Sequence, residues 1–511
     1  MTGVTGGSSS ILFRDVLVYD ASVAGSITAA TDVLVDDERV AAIGAEARRW
    51  ISESTRIIEG HGHHLLIPGL INAHFHSPAN HLKGSFDSLP LELFMLMESP
   101  AGAEFRATPR EAYLRTMLAI LQMLRTGTTA VQDDAFLMPY PEPEIIDAVM
   151  QAYADAGIRA SVALDQPELP EAEKLPVMSG DREFQRALTA PAPMNSRELL
   201  KMYDHLISNW HGAESGRLTA AVSVSAPQRV SVGYFEAIDD LSRRHNLPLF
   251  AHMLETKLQR TLARELPRMG GHSLVRYTAD HGLLSNRMNV IHAVWVDDAD
   301  LDLIAAAGAT VAHNPISNLR LGSGVMPFRR VAERGIPICL GVDEAICDDS
   351  VNMWPVLKMA GLIHNISGLE SDQWPTAGEV LNCLFDGGAR ALLQSHQLGA
   401  IHPGYLADLA LLDLHTLPFT PLNDIEKQLV YCHSGESVVL TMVAGRIVFE
   451  EGQIVTVDEP ALLDEARALF AKTRRARAGA YQDVQRVLPN YQAMVNRART
   501  TDVGMNRWVT G

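Results

Sequence analysis

The chain has 511 residues, 47% hydrophobic and 20% charged, with a formal net charge of -18. That is the composition of a soluble globular protein with room for two or three bodies, and the negative charge excludes a nucleic-acid backbone as partner, because phosphate binding needs a basic face. No apolar run approaches the roughly 20 residues that cross a bilayer, and Cys339, Cys347, Cys383 and Cys432 form no CxxC pair, so the expected setting is a reducing cytoplasm with no membrane partner.

The opening "MTGVTGGSSS", residues 1–10, lacks a basic segment followed by an apolar one and reads as a flexible tail. From residue 11 to 67 short runs alternate apolar and polar, with a turn expected at Asp36-Asp37 in "DVLVDDERVAAIG". Beyond Pro68 the texture changes. Apolar runs such as "TGTTAVQDD", "GIRASVALD", "LTAAVSVSAP", "LPLFAHMLE", "MNVIHAVWV", "ATVAHNP" and "IPICLGVDE" alternate with helical stretches such as "REAYLRTMLAILQMLRTG", which Gly127 should stop. About eight such repeats predict an α/β fold, a (β/α)8 TIM barrel over 68–400. The β texture returns over 401–455, with a turn expected at Ala444-Gly445, so both ends should combine into one small β-sandwich. Residues 456–511 read as a helical extension.

The run "LLIPGLINAHFHSP" ends in His74 and His76, and side chains two apart on a strand share a face, so both imidazoles can reach one ion. Other candidate strands also end in titratable groups: His252, His292, His313 and Asp343. In a TIM barrel those ends build the active site, and histidines with an aspartate suit a divalent ion that leaves a position open for water. Glu255, three residues after His252, is placed to face that water as a proton shuttle.

The stretches "PGLINAHFHSP", "AHMLET", "IHAVWVDDADLDLIAAAGATVAHNPISNLRLGSG" and "GVDEAICDDSVNMW" resemble the amidohydrolase superfamily, in particular its branch of chlorohydrolases and of cytosine, guanine, methylthioadenosine and S-adenosylhomocysteine deaminases. The resemblance implies a barrel with a composite β-sandwich. It makes His74, His76, His252 and Asp343 the ligands of one divalent ion, Zn²⁺ first and Fe²⁺ second, His292 the group facing the nucleophilic water, and Glu255 the shuttle. No lysine ends "LTAAVSVSAP", where binuclear members carry one, so a mononuclear site is expected. The implied reaction is hydrolytic deamination of an amino-substituted N-heterocycle of aminopurine, pterin, pyrimidine or triazine type. Asp343 and His292 take a proton from the water, Glu255 protonates a ring nitrogen, and ammonia leaves. The same groups could serve dechlorination, N-dealkylation or opening of a cyclic amide, whereas a catalytically silent binding or assembly protein would have lost ligands. Relatives imply a homodimer or homotetramer.

His313 is read as positioning the "HNPISNLRLGSG" loop. Nucleoside deaminases of this branch read like "GPHAPYT" after the fourth strand; here Ser225 replaces the histidine and Gln228 the tyrosine, which argues against methylthioadenosine or S-adenosylhomocysteine as substrate. Glu344 and Cys347 follow Asp343, more like triazine-deaminating relatives; a carboxylate there can accept hydrogen bonds from an amino leaving group, or Glu344 can instead cap a helix. Leu91, Leu93, Phe94, Met95, Leu96 and Met97 lie on an apolar cover for the pocket or in its core, and Asp133, Asp134 and Asp165 are further polar candidates at strand ends.

Overall fold

A strand packed on both faces has no reason to alternate, and the continuous apolar runs of the central chain fold as such strands. The computed structural model describes residues 10–98, 106–177, 180, 182–348, 350–477 and 480–509. Five strands precede the central region: β1 (Ser10–Val18), β2 (Thr31–Asp36), β3 (Arg39–Ile43), β4 (Arg56–Glu59) and β5 (His64–Pro68). The central strands are β6 (Leu70–Phe75), β7 (Thr128–Ala135), β8 (Arg159–Leu164), β9 (Leu218–Ala220), β10 (Val222–Ser223), β11 (Leu249–Met253), β12 (Met288–His292), β13 (Thr310–His313) and β14 (Ile338–Leu340).

β6 to β9 form one parallel sheet in chain order and β10 to β14 a second. The two are joined through Ala221. Its N–H donates to Val162 O at 2.8 Å, and the next N–H, of Val222, donates to Pro248 O at 2.9 Å, so β9 and β10 act as one strand shared between the sheets. At the opposite edges Asp343 N donates to His74 O at 3.0 Å, and Phe75 pairs with Asp343 in a parallel bridge. Inside, Ala73, Ala163, Ala221, Phe250, Ile291 and Ala312 meet in one buried cluster. Helices such as Pro109–Arg125, opened by a Thr108–Glu111 capping box, cover the outside. Gly127 ends that helical unit at a φ of 86°.

At the far end of the chain are β15 (Leu409–Asp413), β16 (Val438–Val443), β17 (Arg446–Glu450) and β18 (Gln453–Ile454). β15 pairs antiparallel with β5, and the sheet runs in the order β18-β17-β16-β15-β5-β1-β2-β3, with β4 beside β1. Phe13, Val33 and Val35 from the start of the chain and Leu409, Leu411 and Met442 from its later part share one buried core. The expected turns fall at Asp37 and Ala444-Gly445. A Cβ on Gly445 would lie 1.7 Å from Asp37 O, so the close crossing of these two hairpins requires glycine. Arg159 on β8 is pinned by a buried two-point ion pair to Asp408 just before β15, at 2.8 and 3.0 Å.

The expected helical extension forms helices Glu459–Arg477 and Ala480–Thr500. The second packs Tyr491, Met494 and Ala498 against Leu93 and Leu258. Among the described residues no helix is long and apolar enough to cross a membrane, and the cysteines are free thiols. The expected N-terminal tail lies, through residue 9, outside the described residues.

Candidate active site

Strand alternation sends His74 and His76 from the end of β6 to one side, with ring centroids 4.7 Å apart. His252 on β11, His292 on β12 and Asp343 just after β14 converge on the same point, all with 6% exposure or less. Two of them are steered by backbone that few L-residues adopt: φ is 73° at His292 and 66° at Asp343, left-handed values that carry about 1–3 kcal/mol of strain apiece and collect at functional sites. Gly341 explains how β14 comes so close to β6, since a Cβ there would lie 2.7 Å from His74 Cβ and 2.6 Å from Asn314 Oδ1.

The ring tautomers follow from the main chain. His76 Nδ1 donates to Asp134 O at 2.5 Å and His252 Nδ1 donates to Ser225 O at 2.7 Å. Both rings therefore present an Nε2 lone pair inward. His76 Nε2 and His252 Nε2 lie 3.3 Å apart, and Asp343 Oδ1 is 3.3 Å from His74 Nε2 and 3.4 Å from His76 Nε2. His74 Nε2 is buried with no hydrogen-bond partner, because its approach to Asp343 is not aligned for a hydrogen bond. Lone pairs and a carboxylate packed together away from water suit a divalent cation among His74, His76, His252 and Asp343. Burial lowers His252 to about 3, so it stays neutral and ligand-competent. Asp343 is held well below the ordinary carboxylate range; burial opposes this, and the surrounding His74, His292 and His76 outweigh it.

His292 is oriented the other way. With its amide partners as placed, its Nδ1 accepts from Asn318 Nδ2 at 3.0 Å and faces Asn314 Nδ2 at 3.3 Å, which leaves the proton on Nε2. That atom points at Glu255 Oε2, 3.5 Å away, and Asp343 Oδ2, 3.8 Å away. Burial, with Asp343 and Glu92 nearby, raises Glu255 well above the usual carboxylic range and makes it a proton carrier. Gln259 Oε1 accepts from the Glu255 N–H at 2.8 Å, and the Ser323 hydroxyl donates to Glu255 Oε1 at 3.4 Å. Ser317 donates to Asp343 Oδ2 at 2.6 Å.

Glu344 and Cys347 line the same pocket, as do Leu91, Phe94 and Met95. The Glu344 main chain opens the short helix Ala345–Asp348 while its carboxyl turns into the pocket and hydrogen-bonds Glu98, a residue that sequence reasoning missed. Burial pushes Glu98 up to about 7 and Glu344 well above its ordinary value, so the pair shares protons, and the Cys347 thiol donates to Glu344 Oε2 at 3.8 Å. Ser225 lies beneath the pocket wall: its carbonyl holds His252 and its hydroxyl accepts from Arg229 at 3.0 Å. Arg229, adjacent to Gln228 and also unflagged by sequence, lines the pocket in its place. His313 stands apart and contacts His364, Nε2 to Nε2 at 3.2 Å. Asp133 accepts from Tyr153 and Ser77, and Asp134 from Ser223, so these acids brace the strand ends; Asp165 lines the pocket, 3.8 Å from His76 Nδ1.

This is the site of a metal-assisted hydrolase. A profile of the Amidohydrolase family matches residues 65–448. The chain is similar to a 5-methylthioadenosine/S-adenosylhomocysteine deaminase of Nitratidesulfovibrio vulgaris, 31% identical over 433 residues, covering 85% of this chain and 90% of that one. In structure it is similar to an adenosine deaminase from Xanthomonas campestris with bound zinc, with a TM-score of 0.78 and 24% identity, covering 91% of this chain and 99% of that one. It is also similar to atrazine chlorohydrolase from Arthrobacter aurescens TC1 complexed with zinc, with a TM-score of 0.79 and 24% identity, covering 90% and 100%. The chain belongs to the amidohydrolase family and is a hydrolase of carbon–nitrogen bonds.

Proposed function

We propose that this protein hydrolytically removes the amino group of an amino-substituted N-heterocycle, at a mononuclear site in which His74, His76, His252 and Asp343 hold one divalent ion, zinc before iron. The supporting architecture is a closed (β/α)8 barrel over 68–400, joined at its edges by the Asp343–His74 hydrogen bond, with a composite sandwich from 11–67 and 401–455 and a helical extension from 456.

An ion held there supplies Lewis acidity that brings the pKa of a water toward 7. Asp343 Oδ2, with the Ser317 hydroxyl on it, takes the proton that the water gives up, and the His292 Nε2–H orients the attacking oxygen. Glu255, protonated by virtue of its burial, delivers its proton to the ring nitrogen next to the attacked carbon. Glu344 faces the leaving group, where a carboxylate oxygen accepts from an amine, with Glu98 behind it.

One observation carries the reading: Glu255, buried 3.5 Å from His292 Nε2 and sharing a pocket with His76, His252 and Asp343, is arranged for proton delivery to a substrate. The deaminase activity named for the curated relative agrees with it. The test is ammonia release by zinc-loaded protein from aminopurines, their nucleosides, pterins, cytosine and aminotriazines, with Glu255→Gln as control. Ammonia from wild type alone is the expected result. Silence across that panel, together with chloride or alkylamine released from substituted triazines, would overturn deamination and leave the hydrolase.

A further inference from the structure

The pocket lined by His76, His252 and Asp343 is small, a cavity of about 40 Å³. A second cavity of about 770 Å³ adjoins it, and Leu91, Met95, Phe136 and Arg229 line both. The outer volume lies in the range of whole ligand sites, roughly 300–1,000 Å³, and is far more than a mono- or bicyclic heterocycle needs once its reacting carbon sits at the inner pocket. Its outer wall is mixed, and the helix Ala480–Thr500 gives it Val484, Val487 and Tyr491 as an apolar patch beside Arg486 and Asn490. That helix lies C-terminal to the family match, which ends at 448.

Two polar side chains stand near where the cavities meet: Arg229 lines both, and Gln228 beside it lines the outer one. Gln228 is 2% exposed and its Oε1 has no partner. Arg229 spends one Nη on the Ser225 hydroxyl at 3.0 Å and the other on Met95 Sδ at 3.3 Å, and a thioether is a weak acceptor. A buried acceptor beside an under-used guanidinium is satisfied by a group that both donates and accepts, which is what a hydroxyl does.

We infer that the substrate is an amino-heterocycle bearing a bulky apolar arm joined through a hydroxyl-bearing linker, with the linker between Gln228 and Arg229 and the arm against Val487 and Tyr491. The helical extension is thus the specificity-determining wall of the site. This rests on the deaminase reading for the reacting end only, because the outer cavity's preference for an arm is a binding property.

Each ring core of the ammonia screen would be offered with and without a hydroxyalkyl linker ending in a benzyl group. Burial of such an arm should favour the armed compound by roughly 10- to 100-fold in kcat/KM. In Val487→Trp, which fills the cavity, that ratio should collapse toward unity; in Val487→Ala it should survive; and in Ala493→Trp, on the exposed face of the same helix, it should match wild type. Equal use of armed and unarmed compounds, or an unchanged ratio in Val487→Trp, overturns the inference. If no core releases ammonia, the deaminase reading fails on its own, and thermal shift of the Glu255→Gln protein decides the subsite. Armed compounds then raise the Tm of Glu255→Gln and not of the Glu255→Gln/Val487→Trp double variant, and equal shifts in the two overturn it.

Discussion

His76 Nε2 and His252 Nε2 face each other at 3.3 Å, each with its Nδ1 proton committed to a main-chain carbonyl, of Asp134 and Ser225 respectively. Two lone pairs this close repel, and a cation between them relieves that repulsion. The expected outcome is one equivalent of divalent metal per chain after zinc loading, by elemental analysis, and none in His252→Ala or His76→Ala. Stripping with a chelator should lower Tm, since an ion at about 1,000 times its Kd stabilises by about 4 kcal/mol. A wild-type protein with the same Tm stripped and loaded would contradict this.

Glu255 sits 3.5 Å from His292 Nε2 and does not touch the ligand nitrogens. Glu255→Gln keeps the shape and removes the titrating proton. Turnover should fall by about 10²- to 10⁴-fold with metal content unchanged; a variant with full turnover would remove Glu255 from the proton path.

Gly341 tests how the ligands are placed. A methyl group at 341 meets His74 O and Cβ at 2.7 Å, so Gly341→Ala must push His74 away from Asp343. Overpacking of this kind costs about 1–3 kcal/mol, and a weaker metal Kd by competition with a chelating dye is the specific readout. A destabilised variant that still binds metal with wild-type affinity would show that His74 adapts.

The Arg159–Asp408 pair should behave as a buried pair and not as a surface one. Asp408 Oδ1 also accepts from Ala444 N, so Asp408→Ala leaves two groups unpaired. The expected loss is about 3–5 kcal/mol in urea unfolding, and Arg159→Met with Asp408→Leu should recover part of it. A loss below 1 kcal/mol for the single variants would mean that the contact between β8 and the β15 region is held elsewhere.

His364 gives a pH dependence away from the ligands. Burial, with Arg329 near, lowers it to about 4. Its folded value is below its unfolded value of about 6.5, so between those pH values the unfolded chain binds the extra proton and stability falls as pH falls, levelling below about 4. His364→Gln should flatten stability against pH over that window by about 3 kcal/mol. An identical slope in wild type and variant would assign the acid sensitivity to other groups.

The convergence of His74, His76, His252 and Asp343 was readable because it obeys a period: His74 and His76 are two apart, and the others stand where an apolar run stops. Glu255 was readable by its distance from His252. The split identity of strand four was hidden, because β9 and β10 together look like one run and only Ala221's two-sided bonding shows how it serves both sheets. Glu98 and Arg229 were invisible for a different reason: neither has a local pattern, and their roles arise when the helix Leu91–Glu98 and the loop after β10 are folded over the strand ends. Ser225 was noticed for its side chain, yet its carbonyl does the orienting, and a carbonyl has no letter in the sequence. His364 and Val487 reach their partners only through packing between distant segments.

Arg507 donates to the carbonyls of Val294 and Val296, and its own carbonyl accepts from Val325 N, while Trp508 stacks edge-on against Trp295 at 5.0 Å. These contacts tie the loop after His292 to a residue 213 positions later. During synthesis the catalytic strand ends therefore leave the ribosome long before the segment that fastens them. Until that segment is made, the loop behind His292 lacks the hydrogen bonds that Arg507 gives to the carbonyls of Val294 and Val296.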